Sequence, residues 1–192
     1  MHAELAPSPT SVLYGSPTPR IGPPRPLRSD IDGFRREAEC LEIDLFPWQD
    51  LVGWFLNAVD ADNRFLYPEV ADVVSRQNGK TEILVPHICD RLLKGRRIMH
   101  TAQNRELPRE VFGRVADHMY AKHWSEMTRK PRFANGQEEI KLNNRGDYRI
   151  IAPTRSGPRG HPADDLIVDE VRELDTTDFH QAATPALSAS KN

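Results

Sequence analysis

A single glycine standing directly before a lysine and a threonine, in Ser75-Arg76-Gln77-Asn78-Gly79-Lys80-Thr81-Glu82, constrains this chain more than any other feature. Residues 65–74 before it are rich in aromatic and β-branched side chains, which predicts a strand. Residues 80–93 after it carry a helical pattern, broken only by Pro86. A proline there removes a backbone donor and costs ~3 kcal/mol in an ideal helix, so a kink or a break is expected. Strand, glycine turn and helix N-terminus form a cradle suited to phosphate groups, because the turn's N–H groups and the helix dipole both favour an anion. Gly79 permits the tight backbone, Lys80 reaches the terminal phosphates, and Thr81 offers a hydroxyl to Mg²⁺. The usual pattern has another glycine five residues before Gly79, and here that position is Val74. The plain alternative is a glycine turn with an exposed lysine and a threonine capping the helix.

A second segment complements the first. In Asp164-Asp165-Leu166-Ile167-Val168-Asp169-Glu170, a short apolar strand runs into two carboxylates. Ligands collect at the carboxyl ends of strands in α/β sheets, so Asp169 is placed to hold Mg²⁺ and Glu170 to orient and deprotonate a water. The alternative is a buried strand entering an acidic loop. The order of the two segments, phosphate loop first and acidic pair second, favours a site that takes ATP and Mg²⁺.

Between them the chain alternates strand and helix patterns, which predicts an α/β layered domain. Residues 97–101 read as a strand. Leu107, Val111, Phe112, Val115 and Met119 mark an amphipathic helix with Asn104 as its cap. Asn143-Asn144-Arg145-Gly146 reads as the turn of a hairpin joining 140–142 to 148–152. Upstream, 48–59 is helical in pattern. Seven prolines between Pro7 and Pro26 make residues 1–31 an extended arm, and 32–192 the folded domain. The chain has 192 residues, long enough for one ordinary domain, with a net charge of -2 that argues neither for nor against nucleic acid. Cys40 and Cys89 stand alone, which fits a reducing compartment and gives neither a disulfide framework nor a zinc motif. No signal peptide pattern and no apolar run of ~20 residues is present, so a soluble, cytoplasmic chain with no membrane partner is expected.

Charge is uneven. Residues 91–132 are rich in Arg and Lys, and 164–178 in Asp and Glu. A basic middle facing a polyanion is one reading, and solvated helix faces are the other. Gln49, in Phe46-Pro47-Trp48-Gln49, has an amide able to read a donor and an acceptor on adenine's edge, while Trp48 reads equally well as core. Arg76 lies within the phosphate loop, where a guanidinium can act on the γ-phosphate or pair with a nearby acid. Arg155, Arg159, Gly160 and His161 belong to a Gly/Pro-rich loop open to DNA, a neighbouring subunit or solvent alone.

Taken together, Phe46-Pro47-Trp48-Gln49, Ser75-Arg76-Gln77-Asn78-Gly79-Lys80-Thr81, Thr101-Ala102-Gln103-Asn104 and Leu166-Ile167-Val168-Asp169-Glu170 resemble the ATPase half of tailed-phage large terminase subunits, over roughly residues 44–192. The Ser-Arg-Gln-x-Gly-Lys-Thr loop is typical of that family. The resemblance implies a P-loop NTPase fold of the ASCE type, a RecA-like parallel sheet flanked by helices, here incomplete at its C-terminal end. It implies ATP and Mg²⁺ as cofactors, with Ser75, Arg76, Gln77, Asn78, Gly79, Lys80 and Thr81 around the phosphates and Gln49 at the adenine. It further implies Thr81 and Asp169 at the metal, Glu170 as catalytic carboxylate, and Arg76 and Lys80 at the γ-phosphate. The implied setting is the host cytoplasm, in a homo-oligomeric ring acting on double-stranded viral DNA with a portal protein and a small terminase subunit. The family's coupling segment and nuclease domain have no counterpart here, so a fragment or prophage remnant is expected. Two rivals stay open: a helicase-like P-loop ATPase, and an inactive remnant serving as an interaction module.

Overall fold

The computed structural model describes residues 19, 21–75, 77–152, 162–169 and 187, and the chain divides into two compact units, Met1–Ile83 and Leu84–Asn192. No helix among the described residues is long and apolar enough to cross a membrane.

The first unit is built on helices α1 (Asp32–Cys40) and α2 (Pro47–Leu56). Pro47 occupies the first helical position of α2, where its missing N–H is harmless. Ile31, Phe34 and Ile83 form the buried centre, with Leu45, Trp48, Val52, Trp54 and Leu56 packed on it, so Trp48 is a core contact. Gly53 lets α2 approach: a Cβ there would stand 2.5 Å from the Phe34 ring. Arg35 and Asp50 join the two helices by paired hydrogen bonds of 2.7 Å. The last part of the proline-rich segment docks here as well. The Trp54 indole donates to the Pro26 carbonyl at 2.9 Å, the Arg25 guanidinium lies 3.9 Å from the Trp54 ring centroid, and Ser29 bridges Ala58.

The strand expected over 65–74 does not form. Phe65 makes one isolated bridge to Val59, and the rest is irregular. A strand needs a neighbour for its N–H and C=O groups and a face to bury; Pro68 lacks the donor, and Val73 is 95% exposed.

Helix α3 (Lys80–Leu93) carries the division between the units and runs through Pro86 without a break. Val85, Ile88, Cys89 and Leu92 are fully buried along it, and that packing outweighs one missing backbone bond. It ends in a glycine cap: Gly95 has φ +74, its N–H donates to Leu92, and the Arg96 N–H reaches back to Arg91.

The second unit holds a four-stranded sheet in the order β2-β3-β1-β4. Strands β1 (Arg97–Ala102), β3 (Asp147–Ile150) and β4 (Asp165–Asp169) are parallel; β2 (Glu139–Lys141) pairs antiparallel with β3, as the hairpin pattern predicts. Helix α4 (Glu106–Lys122) buries Val111, Phe112, Val115 and Met119, and the Phe112 ring meets Tyr148 at 5.5 Å between centroids. The N-cap is Arg105, which makes no side-chain cap bond; Asn104 stands one residue earlier, its Oδ1 accepting the Glu106 N–H at 3.0 Å. The fold is therefore α/β, a mostly parallel sheet flanked by helices.

Candidate functional site

The sequence-predicted residues fall into both units. In the first, the loop that enters α3 is exposed at Ser75, Gln77 and Asn78 and half-buried at Gly79, Lys80 and Thr81. Gln77 and Gly79 both take left-handed backbone, with φ +62 and +79. Alternation of handedness in successive residues turns N–H groups toward one side, the geometry of an anion nest. Among the described residues, the N–H groups of Gln77, Asn78 and Gly79 donate to no protein acceptor. The loop is held from its ends instead. Asn78 Nδ2 donates to the Ser75 carbonyl at 3.2 Å and also to its hydroxyl.

Gln49 braces the other end. It is 2% exposed; its Nε2 donates to the Gly79 carbonyl at 2.7 Å, and its Oε1 accepts the Phe46 N–H at 2.7 Å. Both ends of the amide are thus engaged with backbone, and reading adenine would require it to exchange these partners. A Cβ on Gly79 would lie 2.9 Å from Gln49 Nε2, so the glycine serves the brace as well as the turn. Desolvation raises the Asp72 carboxyl above its usual range while the Lys80 ammonium pulls it down, so Lys80 has an acid within its field.

In the second unit, Asp169 ends β4 in register with Ala102, the last residue of β1. It is half-buried, at the carboxyl edge of the parallel strands where the Thr101-Ala102-Gln103-Asn104 turn leaves β1. The acids just upstream work at the opposite end of β4: Asp165 pairs with Arg96 (2.8 Å) and Asp164 with Arg97 (2.9 Å), tying β4 to the start of β1. Arg76, Glu170 and the 155–161 loop lie outside the described residues.

Beneath the edge is a buried polar pair. His100 Nδ1 and the Tyr148 hydroxyl are 2.8 Å apart. Burial lowers the imidazole from 6.5 to about 4 and raises the Tyr148 phenol well above its usual value, so both are neutral near pH 7. Desolvation likewise holds His87 well below its usual value, helped by Arg91, Lys94 and Arg96.

One feature escaped the sequence reading. Glu138 and Glu139 are buried, at 3% and 7% exposure, and arginines surround them. Arg105 and Arg109 reach Glu138 at 3.3 and 3.0 Å; Arg129, Arg149 and Lys141 reach Glu139. Glu138, Glu139, Arg105 and Arg149, with Arg132, line a cleft of about 340 Å³ that reaches Ile150, Ile151 and Ala152 at the carboxyl end of β3. The signal in the sequence was an adjacent pair of acids within a basic stretch, which no short motif captures.

No protein-family model, curated protein or solved structure matches the chain.

Proposed function

We propose that the chain binds ATP with Mg²⁺ and hydrolyses it as the ATPase part of a motor like the tailed-phage large terminases, which drive double-stranded viral DNA into a procapsid. The observation that carries this reading is the loop before α3: three successive N–H groups without a protein acceptor among the described residues, left-handed backbone at Gln77 and Gly79, and a helix beginning at Lys80. That donor set fits a phosphate chain. Lys80 supplies a mobile charge for the terminal phosphates, Thr81 and Asp169 would hold Mg²⁺, and Glu170 would take a proton from water. Arg76 would stabilise charge on the γ-phosphate. Gln49 fixes the loop through Gly79 and couples it to the start of α2, where adenine recognition is assigned. Bound Mg²⁺ would neutralise developing phosphate charge. A homo-oligomeric ring, a portal protein and a small terminase subunit belong to the same proposal, as does the host cytoplasm.

One observation favours a second reading, a remnant that hydrolyses nothing and acts as an interaction module. Residues 65–74 add no strand behind the phosphate loop, so among the described contacts the loop is held by Gln49, Asn78 and the Glu82 N–H.

Thermal melting with and without Mg·ATP, on the wild type and Lys80→Ala, separates the two. At ~100 times its dissociation constant, the nucleotide should stabilise the wild type by ~2.7 kcal/mol and leave Lys80→Ala unmoved. Glu170→Gln should keep the shift and lose turnover. A folded wild type with no shift would leave the module reading standing.

A further inference from the structure

We propose that the cleft at the carboxyl end of β3 is a second anion site, one that takes a phosphoryl group through Arg132 and Arg105. It does not depend on the phosphate loop.

The frame is rigid where it must be. Arg132 and Glu139 exchange two backbone hydrogen bonds, at 2.9 and 3.1 Å, which fixes the Arg132 main chain beside β2. Its side chain is exposed and makes no ion pair among the described residues. Arg105 stands at the start of α4, and its Nε is buried with no hydrogen-bond acceptor among the described residues, while its Nη2 contacts Glu138 at 3.3 Å. A buried donor without an acceptor carries a desolvation cost that an anion's oxygen would remove.

Charge points the same way. Glu138 is matched by Arg105 and Arg109, Glu139 by Arg129, and Glu139 and Asp147 share Arg149 and Lys141. Of the residues that line the cleft, Arg105, Arg132 and Arg149 face Glu138 and Glu139, so the lining keeps one positive charge in surplus with its acids already paired. Guanidinium forks match the oxygens of a phosphate better than an ammonium does. The described lining holds no aromatic ring, so the site would grip phosphate without selecting a base. A volume of about 340 Å³ accommodates a pyrophosphate or one phosphodiester with its sugar. Free phosphate compounds and a nucleic-acid backbone present the same oxygens, and the test distinguishes them.

The test uses the full chain carrying Lys80→Ala, so that the phosphate loop does not contribute. Titration calorimetry with sodium pyrophosphate at about 50 mM salt, and anisotropy with a labelled duplex of about 20 base pairs at several salt concentrations from about 50 to about 200 mM, are run on Arg132→Gln and on Arg36→Gln. Arg36 is an exposed arginine of α1, outside the cleft, and serves as the control for general charge. Arg132→Gln should weaken the bound probe about tenfold and lower the salt slope for duplex by about 1, with Arg36→Gln changing either by less than about twofold. Loss confined to pyrophosphate assigns the site to free phosphate compounds; loss confined to duplex assigns it to a nucleic-acid backbone. Binding of neither probe, no loss in Arg132→Gln, or an equal loss in Arg36→Gln overturns the proposal.

Discussion

The sheet in the second unit and the segment leading toward α3 in the first have similar shares of β-branched and aromatic residues, yet only one became strands. In the sheet, Ile98, Tyr148 and Ile140 are 2% exposed or less, each on a strand whose neighbour satisfies its backbone. In residues 65–75, Leu66 and Val73 are 43% and 95% exposed, and the backbone makes one isolated bridge. Strand propensity describes a side chain that fits a half-buried pleated surface, and without the surface the preference has nothing to act on. The sheet unit is therefore where stability concentrates, and the loop unit is where donors stay available.

That contrast is broken most easily at its strong end. Phe112 fills the space between α4 and Tyr148, and Phe112→Ala should cost about 3–5 kcal/mol in urea denaturation. A loss below about 1 kcal/mol would mean the sheet core is not the seat of stability. The next largest effect is set by pH. His100 is neutral in the fold, with its imidazole lowered from 6.5 to about 4, whereas the unfolded chain takes up the proton near 6.5. Stability is thus fully present above pH 6.5 and lost as pH falls to about 4, by on the order of 3 kcal/mol. His100→Gln should flatten that part of the pH dependence in melts from pH 7 to 4, with His87, also held neutral, supplying a residue of slope. An unchanged slope would place the titration elsewhere. The smallest effects sharpen the loop side. Gly79→Ala meets both a left-handed φ and the Gln49 amide and should cost about 1–2 kcal/mol, while Val73→Ala, six residues upstream and almost wholly exposed, should cost less than about 0.5 kcal/mol. Equal costs at the two positions would show that the loop geometry is not held as described.

Much of the second unit was legible because its signals are local. Asn143–Gly146 marks the turn between β2 and β3, and its polar and glycine residues also receive the end of α3: Asn144 Nδ2 donates to the Leu93 carbonyl at 2.8 Å. Asn104 before α4 and the buried stripe of that helix follow from the same short-range chemistry. The loop before α3 was legible as a turn into a helix, with glycine where a left-handed backbone is needed. Gln49 was read as an adenine contact and not as a brace, since its partner Gly79 is 30 residues away. The arginines of 91–132 show the limit most plainly. Read along the chain they are a basic run; in the fold Arg96 pairs with Asp165, 69 residues on, and Arg105 and Arg109 with Glu138.

By itself, then, the sequence determined helices α2, α3 and α4, the hairpin of β2 and β3, strands β1 and β4 and the glycine turn before Lys80, because each depends on neighbours within a few residues. Only the tertiary structure decided that 65–74 stays outside the sheet, that Gln49 turns its amide to the Gly79 carbonyl, and that a basic stretch becomes a lined cleft around two buried acids. The reason is physical: a strand exists only beside another strand, and a charge is neutralised by whichever partner folding brings within a few ångströms, neither of which is written in the order of residues.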